Sequence, residues 1–174
     1  DGATHQILED IGLMKMLPHM CVINPCDYNQ TKAATIAIAD YEGPVYLRFG
    51  RPTVPNFTPA DQKFEIGKAV MLNEGTDVTI IATGHLVWKA IEAGEKLAEQ
   101  GISAEIINIH TIKPLDDAAI LKSMKTIQYN KDVVVDGKQV AQFSLDETGS
   151  GLLYSGYMQG ALMYSQDGKM PTNS

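Results

Sequence analysis

An α/β fold built on parallel sheets is what this sequence predicts, and three observations predict it. Short apolar runs alternate along the chain with segments of helical periodicity, the signature of strands joined by right-handed crossovers. A proline-rich stretch without periodicity divides that alternation into two groups. The composition of the 174 residues, 44% hydrophobic and 20% charged, belongs to an ordinary globular chain rather than a disordered or fibrous one. The length suits about one to one and a half average domains.

Ile7, Leu8, Ile11, Met14 and Leu17 or Pro18 fall near the i, i+4, i+7 spacing of an amphipathic helix, with Thr4 as its cap and Pro18 as its end. Cys21-Val22-Ile23 follows as a short strand. Asp27-Tyr28-Asn29-Gln30 reads as a capping box, in which the Asp27 carboxylate accepts from the third helical amide and Gln30 reaches back. Its helix runs to about Ala39, Glu42-Gly43-Pro44 turns the chain, and Val45 to Phe49 forms the next strand. From Gly50 to Lys63 three prolines (Pro52, Pro55, Pro59) mark an extended connection and the clearest domain boundary.

Beyond it, Glu65 to Leu72 suits a strand, and Val78 to Thr83 a buried one. Thr83-Gly84 opens a helix from His85 to Gln100, with Leu86, Ala90, Ala93 and Leu97 on one face and Gly101 as its stop. Ala104 to Ile109 is another strand, and Asp116 starts a helix to about Lys125. Asp132 to Val135, Asp136-Gly137 and Lys138 to Leu145 read as a hairpin. The Gly/Ser/Tyr/Gln-flavoured remainder reads as a loop-rich segment or a tail, and there is no internal repeat.

Charge and composition exclude some partners. Fourteen basic against twenty-one acidic residues leave a net charge of −7, which argues against duplex nucleic acid or an anionic membrane, since both select a cationic face. No apolar run is long enough to cross a bilayer and nothing resembles a signal peptide, so a cytoplasmic location is expected. Cys21 and Cys26 have no second pair to complete a zinc site, and read as two reduced, mostly buried thiols. The chain opens on Asp1 rather than methionine, which reads as a processed chain or a fragment.

Three places could carry chemistry. Asp1 and His5 stand four apart at a helix entry, where an imidazole can pass protons and a carboxylate can fix a substrate hydroxyl. A capping aspartate and a surface histidine fit the same pattern. Leu47-Arg48-Phe49-Gly50-Arg51 places two guanidinium groups at a strand end, where α/β folds bind ligands and where Arg suits a phosphate or carboxylate. A surface salt bridge is the alternative. Thr83-Gly84-His85 offers amide donors at a helix start, with capping as the plainer role. Trp88 and the methionines read as core.

Several of these residues stand in longer motifs. Asp1-Gly2-Ala3-Thr4-His5-Gln6, Glu9-Asp10-Ile11, Leu17-Pro18-His19-Met20, Asn24-Pro25-Cys26-Asp27 and Gly43-Pro44-Val45-Tyr46-Leu47-Arg48 together resemble the second half of the transketolase pyrimidine-binding domain. Gly75 to Gly84 and Ile109-His110-Thr111-Ile112-Lys113-Pro114-Leu115-Asp116 resemble the transketolase C-terminal domain. The resemblance runs collinearly over about residues 1 to 123, and the nearest form is the separate C-terminal subunit of two-chain transketolases. It implies three-layer parallel-sheet α/β domains: residues 1–50 from a pyrimidine-binding domain, a linker over 51–66, a transketolase C-terminal-like domain over 67–125, and an unassigned, divergent 126–174.

The resemblance also implies an activity, namely transfer of a two-carbon ketol unit from a ketose phosphate to an aldose phosphate with thiamine diphosphate and Mg²⁺. By it, Asp1 binds a substrate hydroxyl, His5 contacts the donor's terminal hydroxyl or carbonyl oxygen as the catalytic residue, and Arg51 binds the sugar phosphate. Gln6 and Glu9 share the motif without a chemical role. The glutamate that protonates the cofactor's pyrimidine and the ligands of metal and diphosphate are expected outside this chain, on an N-terminal half or subunit. The chain alone is therefore expected to be inactive and to work as part of a homo- or hetero-oligomer. Two other readings compete: a non-catalytic α/β interaction module, and a part resembling the β-subunit of a 2-oxo acid dehydrogenase. Asp1 to His5 and Arg51 favour the sugar phosphate over the latter.

Overall fold

The structure, a computed structural model, describes residues 7–126, 134–135 and 138–139. The chain divides into two compact units, Asp1–Gln128 and Tyr129–Ser174. The first is α/β, as the alternation of elements requires. Its elements in order are α1 (Asp10–Met16), β1 (Cys21–Ile23), α2 (Tyr28–Ala39), β2 (Val45–Leu47), β3 (Val70–Asn73), β4 (Val78–Ala82), a 3₁₀ turn (Gly84–Leu86), α3 (Val87–Glu99), β5 (Ala104–Asn108), β6 (Thr111–Lys113) and α4 (Asp117–Thr126).

Two three-stranded sheets organise this unit, in the orders β2-β1-β6 and β3-β5-β4. The crossover pairs are parallel: β1 with β2 through α2, and β4 with β5 through α3. Each sheet then gains an antiparallel edge, β6 against β1 and β3 against β5. Strand β6 lies within a segment read from the sequence only as a motif, and its place beside β1 ties the region after the connector into the sheet before it. Lys113 on β6 also donates from Nζ to the Lys15 and Leu17 carbonyls at 3.0 and 2.7 Å, satisfying carbonyls left open at the end of α1.

The core of the first sheet gathers Cys21, Ile23, Ala34 and Phe64, flanked by Ile38, Leu47 and Ile66. Val22 and Ile23 are fully enclosed, each such side chain contributing about 1.5–3 kcal/mol of burial. Phe64 reaches this core from the end of the connector, so the proline-rich stretch is fastened rather than loose. Asp27 fastens it again. As read from the capping box, its Oδ1 accepts the Gln30 amide at 2.8 Å. It also accepts the amides of Phe57 and Thr58 on Oδ2 at 2.9 and 2.7 Å, and the Thr58 hydroxyl on Oδ1 at 2.7 Å. The Gln30 side chain reaches one residue past the cap and accepts from the Cys26 amide at 3.0 Å.

Other expectations shift in detail. The first helix starts at Asp10 with Glu9 as its cap residue, while Thr4 lies outside the described residues. The strand read over Glu65 to Leu72 is confined to Val70–Asn73, because the amides of Gly67 and Ala69 donate to Thr111 Oγ1 and Asp116 Oδ2 instead of to a ladder. Helix α3 buries Val87, Ala90 and Gly94 rather than the face through Leu86 and Ala93, since the 3₁₀ turn before Val87 resets its phase. It ends as read: Gly101 at φ 79° donates to Ala98 and Ile102 to Leu97, a Schellman closure. Asp116 caps α4 by accepting from Ala119 at 3.1 Å. Met16 and Met71, read as core, are exposed. In the second unit, β7 (Val134–Val135) and β8 (Lys138–Gln139) pair antiparallel. The remainder of the hairpin read from the sequence and the tail beyond lie outside the described residues.

Candidate functional site

The parallel strands of both sheets end in polar residues, and those ends meet. Asn24 after β1 donates from Nδ2 to Thr83 Oγ1 after β4 at 3.3 Å, and its amide donates to the His110 carbonyl at 2.8 Å. Asn108 at the end of β5 donates to Gln30 Oε1 at 3.1 Å and to Cys26 Sγ at 3.4 Å. The approach is close enough to require glycine at 84, where φ is 56° and a Cβ would overlap the Asn24 amide. The carboxyl ends of parallel strands are where α/β folds place their ligands.

At one side of this seam stands a charged cluster. Asp10, 5% exposed at the start of α1, accepts on Oδ2 from the Tyr46 hydroxyl at 2.8 Å and from Arg48 Nε at 3.3 Å. The carboxylate therefore joins α1 to β2. Burial, with the Asp10 hydrogen bond and charge behind it, raises the pKa of Tyr46 and keeps the phenol as a donor. Arg48 also extends the β1–β2 ladder, its amide donating to the Ile23 carbonyl at 2.8 Å. Two residues on, Gly50 lies against the imidazole of His85, so close that a Cβ there would fall within the ring. Burial first, then the Arg48 charge, lowers the pKa of His85, while a hydrogen bond to the Gly50 backbone opposes them in part.

Two other titratable groups near the seam are unsuited to chemistry at neutral pH. His110 is 2% exposed and stacks on Phe64 with ring centroids 4.1 Å apart. Burial depresses its pKa to about 4, so it stays neutral, with Nδ1 3.0 Å from Thr111 Oγ1. Burial and the neighbouring Asp27 charge push the Cys26 thiol up to about 12, which leaves it un-ionised and inert.

Of the residues proposed from the sequence, Arg51 is described and exposed, in the loop leaving β2 next to Gly50. Asp1 and His5, with Gln6, lie outside the described residues. The structure joins two motifs read separately, the Arg48–Arg51 strand end and Thr83-Gly84-His85, through Gly50 and His85. Thr83 makes no side-chain cap bond and instead pairs with Asn24, so helix capping is not its role. Sequence reading gave no role to Asp10, Asn24 or Tyr46, and the one signal for them was their place inside the longer motifs. Among the described residues, no group of three or more His, Cys, Asp or Glu side chains could hold a metal. No helix among the described residues is long and apolar enough to cross a membrane.

A family model of the transketolase pyrimidine-binding domain matches residues 1–56, and one of the transketolase C-terminal domain matches residues 67–142. The chain belongs to the transketolase family. A putative transketolase C-terminal section of Methanocaldococcus jannaschii is 50% identical over 125 residues, covering 71% of this chain and 40% of that protein. A 6-deoxy-6-sulfo-D-fructose transketolase subunit of Clostridium sp. is 46% identical over 127 residues, covering 72% of this chain and 39% of the subunit. Among solved structures, a split-gene transketolase described as an inactive β4 tetramer superposes with a TM-score of 0.70 at 42% identity, covering 72% of this chain and 42% of that one. The chain thus spans about two fifths of the length of these transketolase relatives. Membership through the pyrimidine-binding domain implies thiamine diphosphate as the family's cofactor.

Proposed function

We infer that this chain is the substrate-side part of a transketolase, transferring a two-carbon ketol unit between a ketose phosphate and an aldose phosphate once assembled with an upstream half or partner subunit in the cytoplasm. The observation that carries this reading is the loop leaving β2: two family segments matched in order build one unit in which the Arg48–Arg51 segment is held at the carboxyl end of a parallel strand, where α/β folds commonly bind ligands. The Arg51 guanidinium there suits a phosphate. In this reading Arg51 binds the sugar phosphate, Asp1 holds a substrate hydroxyl, and His5 moves a proton at the donor's terminal hydroxyl or carbonyl oxygen. When bound, thiamine diphosphate supplies the nucleophilic carbanion that side chains cannot. Its Mg²⁺ and diphosphate ligands belong to the partner. The division into 1–50, 51–66, 67–125 and 126–174 is proposed with it, supported in outline by family matches over 1–56 and 67–142.

The test is reconstitution. The chain is mixed with a transketolase N-terminal half, thiamine diphosphate and Mg²⁺, and ketol transfer is followed from a ketose phosphate to an aldose phosphate. Activity should require both parts, and Arg51→Ala should weaken the phosphorylated substrates selectively. Full activity of the chain without the partner refutes the division of labour. A second reading, a non-catalytic interaction module, is favoured by exposed apolar side chains around α1: Leu8, just before it, is 92% exposed and Met16, its last residue, 82%. It predicts assembly with the same half and no gain of activity.

A further inference from the structure

The loop leaving β2 is anchored at both ends by contacts unrelated to its proposed ligand. At its start, Arg48 is fixed by the Ile23 carbonyl and by Asp10. At its end, Phe57 and Thr58 are fixed by Asp27, and Asn56 Oδ1 accepts from the Asn29 amide at 3.2 Å. Between these anchors His85 meets the loop at Gly50, immediately before Arg51. The imidazole comes from the other sheet, on the 3₁₀ turn after β4, and lies so close to Gly50 that no residue with a Cβ fits without displacing the ring. Arg51 is followed by Pro52, whose ring restricts the backbone of the residue before it. The backbone from which the Arg51 side chain projects is thus constrained from one side by Pro52 and from the other by the seat of Gly50 on His85.

We propose that His85 is a positioning residue for the phosphate of the sugar substrate, holding Gly50 so that Arg51 is presented to that phosphate from a fixed backbone. The proposal rests on the reading of Arg51 given above. His85 touches no substrate in this scheme. It acts through the loop by removing freedom that Arg51 would otherwise lose on binding. Arg48 acts on the imidazole by its charge and the Gly50 backbone by a hydrogen bond, and Asp10 pairs with Arg48. Burial first, and then Arg48, disfavours a charged ring, so seating by a neutral imidazole is the expected working form.

The experiment uses the chain assembled with its N-terminal half and compares Arg51→Ala, His85→Ala, Gly50→Ala and the double variant Arg51→Ala/His85→Ala. Arg51→Ala should raise KM for a phosphorylated ketose by about tenfold or more. His85→Ala and Gly50→Ala, which disturb the same contact from opposite sides, should each raise it about three- to tenfold with kcat within about twofold. The Ki of inorganic phosphate as a competitive inhibitor should rise by the same factor, and KM for a non-phosphorylated ketose should not move. In the Arg51→Ala background the His85 substitution should add nothing further. Gly50→Ala keeps the proposal testable if His85→Ala does not fold. If Arg51→Ala raises KM while His85→Ala and Gly50→Ala leave it unchanged, or if their effects add fully to that of Arg51→Ala, His85 does not position the loop. If Arg51→Ala itself leaves KM unchanged, the reading of Arg51 fails and takes this proposal with it.

Discussion

Mild acid should loosen this protein, and His110 is the reason. Its imidazole is enclosed between Phe64 and the Thr111 hydroxyl, and burial alone holds its pKa near 4 against an ordinary 6.5. Between those values the unfolded chain binds a proton that the folded chain refuses. Stability therefore rises with pH across that window, is fully present above about pH 6.5, and has lost its whole His110 share below about pH 4. The difference of about 2.5 pKa units corresponds to about 3 kcal/mol, of which about 2 kcal/mol has gone by pH 5. Urea unfolding at half-unit steps from pH 7 to pH 5 measures it. His110→Gln should flatten most of the slope; the remainder belongs in part to His85, whose pKa burial and Arg48 also lower. An equal slope in the variant and the parent, or an NMR titration of His110 with a midpoint near 6.5, would refute the reasoning.

Asp27→Ala removes a helix cap and the connector's tie together, so thermal unfolding should show a loss of about 3 kcal/mol, and Asp27→Asn a smaller one because it keeps an acceptor for the Gln30 amide. Gly75→Ala places a Cβ against the backbone of Ala104 and Glu105, which cannot swing aside as a side chain would, and should cost about 1–3 kcal/mol in denaturant unfolding. With its pKa near 12, Cys26 should resist a disulfide reagent at pH 8 in the folded chain and react on unfolding. Rapid labelling under native conditions would contradict its burial.

Local signals in the sequence carried the elements whose causes are local. The apolar run Cys21–Ile23, the Asp27 cap and the Gly101 stop each have a mechanism within four residues, and each stands where it was read. What the sequence hid depends on partners far along the chain. Strand β6 is three residues long and has no pattern of its own, existing because β1 offers it an edge. The phase of α3 turns on Gly84, whose conformation is dictated by Asn24 from the other sheet. The candidate site divides the same way. Two guanidiniums after a strand were visible in the sequence, and the ion pair read as one of their alternatives is what Arg48 makes with Asp10, whereas Asp10, Tyr46 and His85 acquire their places only once α1, β2 and the turn after β4 are brought together.

The pairing of β1 with β6 bears on how this chain comes to fold. Val22 and Lys113 face one another across about ninety intervening positions, and contacts of such separation form late because the loop between them must close first. During synthesis from the N-terminus, β1 and β2 emerge long before the strand that pairs with β1 on its other side. Until β6 arrives, β1 presents an open edge of unpaired amides and carbonyls, the kind that recruits strands from neighbouring chains. A polypeptide cut within the proline-rich connector would keep that edge permanently. The connector, which reads as the natural place to separate two domains, is thus a poor place to divide this protein for expression.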